Sequence, residues 1–243
     1  MAAAPRARRW LTGQSYAHRG LHGAGAPENS LAAFARAVQA GFGMECDVRA
    51  ASDGVPHVFH DDRLERLTDG HGRFADRTSA EIATLGLADG SAVPSLAAML
   101  RLVAGAVPIL IEVKSGRASP AALCQVIAEE LDHYAGSVAV MSFDPRVPAW
   151  FAARRRSVVR GLVLSRRGHP PAAVVRRHAL AIARARPHFL ACDVRDLPNR
   201  LATEARRRGM PLLCWTVRTN AERARVRRFA DQLIFEQAGR FDG

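Results

Sequence analysis

Four short stretches of this chain place titratable and charged residues at spacings that could do chemistry. "AHRG" sets His18 beside Arg19, "MECDV" sets Glu45 two residues before Asp47, "VFHDD" supplies His60, and "LIEVKSG" sets Glu112 two residues before Lys114. Residues two apart on a strand project from the same face, so each of those pairs would present its side chains together. Charged groups on otherwise apolar strands are costly to bury without partners. Three carboxylates converging on one place would repel one another, and a hard divalent cation, Mg2+ or Ca2+, resolves that repulsion because it prefers oxygen ligands. Glu45, Asp47 and Glu112 are therefore candidate metal ligands. His18 and His60 have no cysteine beside them and suit proton transfer, since an imidazole titrates near neutrality. Arg19 and Lys114 are fixed cations suited to an anionic substrate. Together these groups describe phosphate-ester chemistry.

Taken singly, each group has a plainer reading. A histidine after a strand is commonly structural, and Glu112 with Lys114 could be a simple same-face ion pair. Their joint occurrence at successive strand ends, where barrel enzymes keep their sites, favours a site. Lys114 sharpens the point, being the only lysine in a chain with 35 lysine and arginine residues in total.

The elements that must position these residues alternate along the whole chain. Predicted strands are 15–18, 44–48, 109–113, 138–143, 161–164, 189–193, 212–217 and 232–235. Helical spacing predicts Asn29–Ala40, with Leu31, Phe34, Ala35 and Val38 on one face. It also predicts Ala121–His133, with Pro120 in the first turn, and Ala221–Phe229 after Asn220 as N-cap. Strand–helix alternation with short connections implies parallel strands and crossover helices. Eight such strands favour an α/β fold of the (β/α)8 TIM-barrel type over an open doubly wound sheet. One stretch, about 55–93, breaks the rhythm with extended and turn-like residues, and is read as a small insertion after strand 2. With no repeat, low-complexity tract or linker, residues 1–243 are expected to form a single domain.

Composition bounds the alternatives. The hydrophobic share of 48% allows a large core. The net charge of +12 invites a nucleic-acid reading, but the arginines cluster in helix-like stretches (Arg154 to Arg156, Arg206 to Arg208, Arg223 to Arg228) with few aromatics between them. That pattern predicts solvated helix faces and no nucleic-acid partner. Cys46, Cys124, Cys192 and Cys214 form no CxxC pair and read as reduced core residues. No apolar run approaches the length of a membrane span and no signal core opens the chain. A cytoplasmic protein with no stable membrane anchor is expected.

The motifs resemble those of the glycerophosphodiester phosphodiesterases. The resemblance runs through "AHRG", "APENSLAAFARAVQAGFGMECDVRASDGVPHVFHDDRLERLTDG", "VPSLAAML" and "PILIEVKSG", then more loosely through "VMSFDP" and "LLCWTVRTN". It implies a barrel with a small insertion after strand 2, and hydrolysis of a small-molecule glycerophosphodiester to an alcohol and sn-glycerol 3-phosphate with Mg2+ or Ca2+. Carried over by position, His18 and His60 become the acid/base pair, and Glu45, Asp47 and Glu112 the metal ligands. Arg19 and Lys114 would hold the phosphate, Glu28 and Asn29 of "PEN" would support the mouth of the site, and Trp215 would line the substrate pocket. The chain departs from the family pattern at its last strand, where "LIFEQAGRF" places Glu236 in the position usually taken by an aspartate followed by proline. Two alternatives stand beside this reading: a related barrel phosphodiesterase acting on lysophospholipids or other phospholipid head groups, and a catalytically inactive anion- or nucleic-acid-binding barrel.

Overall fold

The computed structural model describes residues 9–116, 119–166 and 171–236, without the side chains of 171–174. In chain order the elements are α1 (Trp10–Gly13), β1 (Tyr16–Ala17), α2 (Leu31–Gln39), β2 (Gly43–Ala50), β3 (Pro56–Val58), α3 (Ser79–Ile82), α4 (Leu96–Val103) and β4 (Ile109–Val113). They continue as α5 (Ala121–Asp132), β5 (Val138–Ser142), α6 (Arg146–Arg154), β6 (Val159–Leu164), α7 (Pro171–Ala185), β7 (Phe189–Asp193), α8 (Arg200–Arg207), β8 (Leu212–Val217), α9 (Asn220–Phe229) and β9 (Gln232–Phe235). This is an α/β fold of the (β/α)8 TIM-barrel class with a small insertion after strand 2. The described residues fall into two compact units, one spanning 17–137 and the other comprising the residues from 138 onward with those before 17.

In the first unit β2 and β4 are parallel, with Glu45 opposite Leu110, Asp47 opposite Glu112 and Val48 opposite Val113. Alternation along β2 sends Met44, Cys46 and Val48 to one side and Glu45 and Asp47 to the other, and all five are buried. The strand outruns its predicted length because Val48, Arg49 and Ala50 pair antiparallel with Val58, His57 and Pro56 of β3. β3 opens the insertion, which packs around its own cluster of Phe59, Leu64, Phe74, Ile82, Leu87 and Val93, with the rings of Phe59 and Phe74 stacked at 4.8 Å. A capping box between Thr78 and Glu81 starts α3 within it.

β1 is shorter than the expected 15–18 because the chain turns at once: Arg19 and Gly20 have φ of +55° and +78°. Only glycine fits at the second position, since a Cβ there would sit 2.9 Å from the backbone and side chain of Ala33. α2 is capped by the Ser30 hydroxyl, which accepts from the Ala33 N–H. Its buried face is Ala33, Phe34 and Ala37; Ala35, expected on that face, is exposed.

In the second unit β5 to β9 run parallel in sequential order, with Gly161 opposite Phe189, Cys192 opposite Cys214 and Asp193 opposite Trp215. A Cβ at position 161 would fall 2.3 Å from the Phe189 ring, so the glycine makes room for that fully buried phenyl. The Tyr16 hydroxyl donates to the carbonyls of Trp10 and Leu11, which fixes α1. Two boundary expectations are corrected: Thr219, not Asn220, caps α9 in a box with Glu222, and Pro120 stands at the N-cap position of α5. All four cysteines are buried and none is in a disulfide. Of the arginine clusters, Arg154, Arg156, Arg206 to Arg208, Arg225, Arg227 and Arg228 are exposed. Among the described residues no helix is long and apolar enough to cross a membrane.

Candidate active site

The register of β2 and β4 assembles the core of the site. Because paired residues on parallel strands face the same way, Asp47 and Glu112 stand side by side and Glu45 lies one step along the same face. One oxygen from each carboxylate falls within 4.8 Å of the others, and all three residues are buried. Lys114 follows immediately after β4, tied by its N–H to the Val48 carbonyl at 2.9 Å. Its Nζ lies 2.9 Å from Asp47 Oδ1 and donates to Glu112 Oε1.

Arg19 closes the opposite side. Its positive φ aims the backbone N–H at Glu45 Oε2, 3.1 Å away. The guanidinium donates from Nη1 to Glu28 Oε1 at 2.6 Å, and Nε lies 3.0 Å from Asp47 Oδ2 as an ion pair whose N–H is not aligned for a hydrogen bond. Asn29, also at positive φ (+59°), is anchored by its N–H to the Arg19 carbonyl. Its side chain clasps Asp47 twice: Nδ2 donates to Oδ2 at 3.0 Å, and Oδ1 accepts from the Asp47 N–H at 3.3 Å. The "AHRG" and "PEN" motifs are thus two strained turns locked to each other and to β2. His18 Nε2 lies 3.8 Å from Glu45 Oε2.

His60 follows β3 on a segment held against β2, where the Phe59 N–H donates to the Asp47 carbonyl and Arg49 Nε donates to the His60 carbonyl at 2.8 Å. Its Nδ1 bonds Asp61 Oδ1 at 2.6 Å. Asp61 accepts from Arg66, which also grips Glu28 through Nη1 and Nη2 at 2.9 and 2.8 Å. A continuous polar chain therefore runs His60–Asp61–Arg66–Glu28–Arg19–Asp47. Sequence reasoning assigned no role to Asp61 or Arg66. The signal was present in "HDDRLER", a carboxylate beside the histidine and an arginine five residues on, but nothing in the spacing says that they meet.

Electrostatics divide the three carboxylates. Burial, then the neighbouring Asp47, pushes the Glu45 carboxyl well above its ordinary range. Burial would raise Asp47 as well, but Lys114 and Arg19 outweigh it and hold that carboxyl well below its range. Burial disfavours the Lys114 ammonium, yet Asp47 and Glu112 more than compensate and keep it firmly protonated. Burial lowers the His60 imidazole despite the pull of Asp47, so its neutral form prevails at pH 7. The set fits a hard divalent cation: the donors are all oxygens, and the buried Glu45 Oε1 has no hydrogen-bond partner. Burial raises Glu45 first and Asp47 second, and a bound cation would offset both.

Trp215 belongs to the second unit, on β8. Its Nε1 donates to the Ala191 carbonyl at 3.2 Å and its ring meets Phe143 edge to face at 5.5 Å. Glu236 accepts from Arg218 Nε at 2.6 Å, and its N–H donates to the Val217 carbonyl. The carboxylate of the unusual last-strand motif is therefore fixed by a salt bridge.

Fold and site define the class, a (β/α)8 barrel with an acidic, oxygen-only cluster flanked by fixed cations and histidines. Residues 18–235 match the glycerophosphoryl diester phosphodiesterase family, and the chain belongs to that family. It is an enzyme of the phosphoric diester hydrolase kind. The chain is 27% identical over 220 residues to YhdW of Bacillus subtilis (strain 168), covering 86% of this chain and 88% of that one. It is 46% identical over 71 residues to glycerophosphodiester phosphodiesterase 1 of Homo sapiens, a match that covers 28% of this chain and 21% of the human protein. Among solved structures, a phosphodiesterase of Oleispira antarctica, in complex with the product sn-glycerol-3-phosphate, superposes with a TM-score of 0.80 at 24% identity, over 91% of this chain and 92% of that one. The glycerophosphodiester phosphodiesterase of Thermotoga maritima does so with a TM-score of 0.72 at 25% identity, over 91% and 93%.

Proposed function

We propose that this protein hydrolyses glycerophosphodiesters to an alcohol and sn-glycerol 3-phosphate, with His18 and His60 as the proton-transfer pair. The observation that carries the reading is the register of Asp47 with Glu112 beside Glu45, flanked by Lys114 and Arg19. Glu45, Asp47 and Glu112 would hold Mg2+ or Ca2+. Bound there, the cation would supply Lewis-acid charge to offset the negative charge of the phosphoryl group.

Arg19 and Lys114 orient the diester and stabilise the negative charge that grows on its oxygens. His60, neutral at pH 7 and oriented through Nδ1 by Asp61, accepts the proton of the attacking hydroxyl. That hydroxyl belongs to water or to the glycerol of the substrate itself; in the second case a cyclic glycerol phosphate forms first, and water then opens it to sn-glycerol 3-phosphate. As the new O–P bond forms, the bond to the head-group oxygen breaks, and His18 delivers a proton to that oxygen. Glu28 and Asn29 position Arg19 and Asp47.

The reading is tested by assaying sn-glycerol 3-phosphate release from glycerophosphocholine, glycerophosphoethanolamine and glycerophosphoglycerol with and without EDTA. Release that EDTA stops and added Mg2+ or Ca2+ restores is expected. Release indifferent to chelation would overturn the ligand assignment.

A further inference from the structure

Helix α7 exposes more apolar surface than the other described helices. Among its described side chains only Ala185 is fully buried, with His178, Ala181 and Ile182 half-buried beside it. Two of its aliphatic residues point outward: Leu180 is 63% exposed and Val175 51%, the highest values of any large hydrophobic residue described. Most helical stability in proteins comes from packing an apolar face, and α7 leaves much of its own in solvent. Beneath it opens a cavity of about 420 Å³ with an apolar floor of Phe143, Leu162 and Leu164, and with Arg177 and Arg184 at its lining.

The exposed arc is also uniformly positive. Residues 171–185 contain Arg176, Arg177 and Arg184 and no acidic residue, and all three arginines are exposed. The bias extends further, since residues 138–243 carry 22 arginines against eight acidic residues, whereas residues 17–137 carry ten basic and fifteen acidic. Aliphatic side chains interleaved with arginine on one helical face match the two layers of a lipid interface, acyl carbon below and anionic head groups above. Duplex nucleic acid would be matched by the arginines alone and gains nothing from an exposed Leu180.

We propose that α7 is a peripheral docking surface for anionic phospholipid bilayers, with Val175 and Leu180 entering the interface and Arg176, Arg177 and Arg184 meeting the head groups. Among the described residues no helix is long enough and apolar enough to cross a bilayer; the contact proposed for α7 is reversible and weakened by salt.

The test is co-sedimentation of the full chain with phosphatidylcholine vesicles and with vesicles of equal phosphatidylcholine and phosphatidylglycerol, at low and high salt. Binding to the mixed vesicles alone is expected. Each arginine near an anionic surface contributes about fivefold, so the triple variant Arg176→Gln, Arg177→Gln, Arg184→Gln should bind about a hundredfold more weakly. The double variant Val175→Asp, Leu180→Asp should also lose binding, and Val175→Ser, Leu180→Ser should do so in milder form if the acidic pair disturbs the fold, with thermal melting as the folding control. Wild-type binding by either the triple or the folded double variant overturns the proposal. So does binding of duplex DNA that the triple variant loses and the double variant keeps, with no vesicle binding by the wild type.

Discussion

Asp47 and Glu112 occupy the same register position on neighbouring parallel strands, and Lys114 bridges them from just beyond the strand end. One pairing thereby sets three charged groups within contact distance and leaves Glu45, one step away on the same face, as the carboxyl that no fixed cation fully neutralises. This asymmetry makes the cluster receptive to a divalent ion and exposes it to measurement.

Glu45 gives the first prediction. Its carboxyl is raised in the folded protein, chiefly by burial and then by Asp47. A group whose folded pKa lies above its unfolded value stabilises the protein below the unfolded value and loses that contribution as pH rises. With EDTA present, the melting temperature should therefore fall as pH climbs from about 4.5 upward, and Mg2+ or Ca2+ should reverse the fall. Glu45→Gln should flatten the dependence and make the chelated protein more stable than wild type, while turnover drops by at least ~10²-fold. Differential scanning fluorimetry across pH, with and without cation, reads both.

His18→Ala and His60→Ala should each lower kcat by ~10²–10⁴-fold without unfolding the chain, the size of a lost acid/base group. Burial lowers His60, so its neutral form persists to lower pH and the acid limb of kcat/KM should fall below the ordinary imidazole value of 6.5. Retained turnover in either alanine variant would sink the pair.

Asp61 and Arg66 should act on that same limb. The Asp61 hydrogen bond raises the His60 pKa, so Asp61→Asn should move the acid limb further down while lowering kcat by about tenfold, the order expected when an orienting partner is lost. Arg66→Ala should lower kcat similarly, because it frees both Asp61 and Glu28. A rate loss with an unmoved pH profile would assign both residues to scaffolding.

Lys114→Arg keeps the charge and should still damage turnover by more than ~10-fold. A planar guanidinium between Asp47 and Glu112 would favour fork-shaped pairing with the carboxylates over a point contact with phosphate. Steady-state kinetics at saturating cation check this, and wild-type rates would return Lys114 to a plain ion-pair role.

The thiols should be inert. Burial pushes Cys192 up to about 12 and raises Cys46 and Cys214 as well, so each stays protonated at pH 8. Iodoacetamide should label none of the four cysteines until the protein is denatured, as read by mass spectrometry.

The sequence by itself determined the strand–helix rhythm, since apolar strands and helical spacing are local properties. It also determined which side chains share a face: Glu45 with Asp47, and Glu112 with Lys114, follow from a period of two along a strand. Ends decided by nonlocal contact were not legible, among them the early turn after β1, forced where Gly20 meets Ala33, and the extension of β2, set by its pairing with β3. Only the tertiary structure decided that Asp47 and Glu112 stand in register, because pairing between strands 65 positions apart is fixed by packing and not by either strand alone. The same holds for the chain from His60 through Asp61 and Arg66 to Glu28. Its members lie on an insertion and a distant turn, and their hydrogen bonds exist only once both are folded against β2.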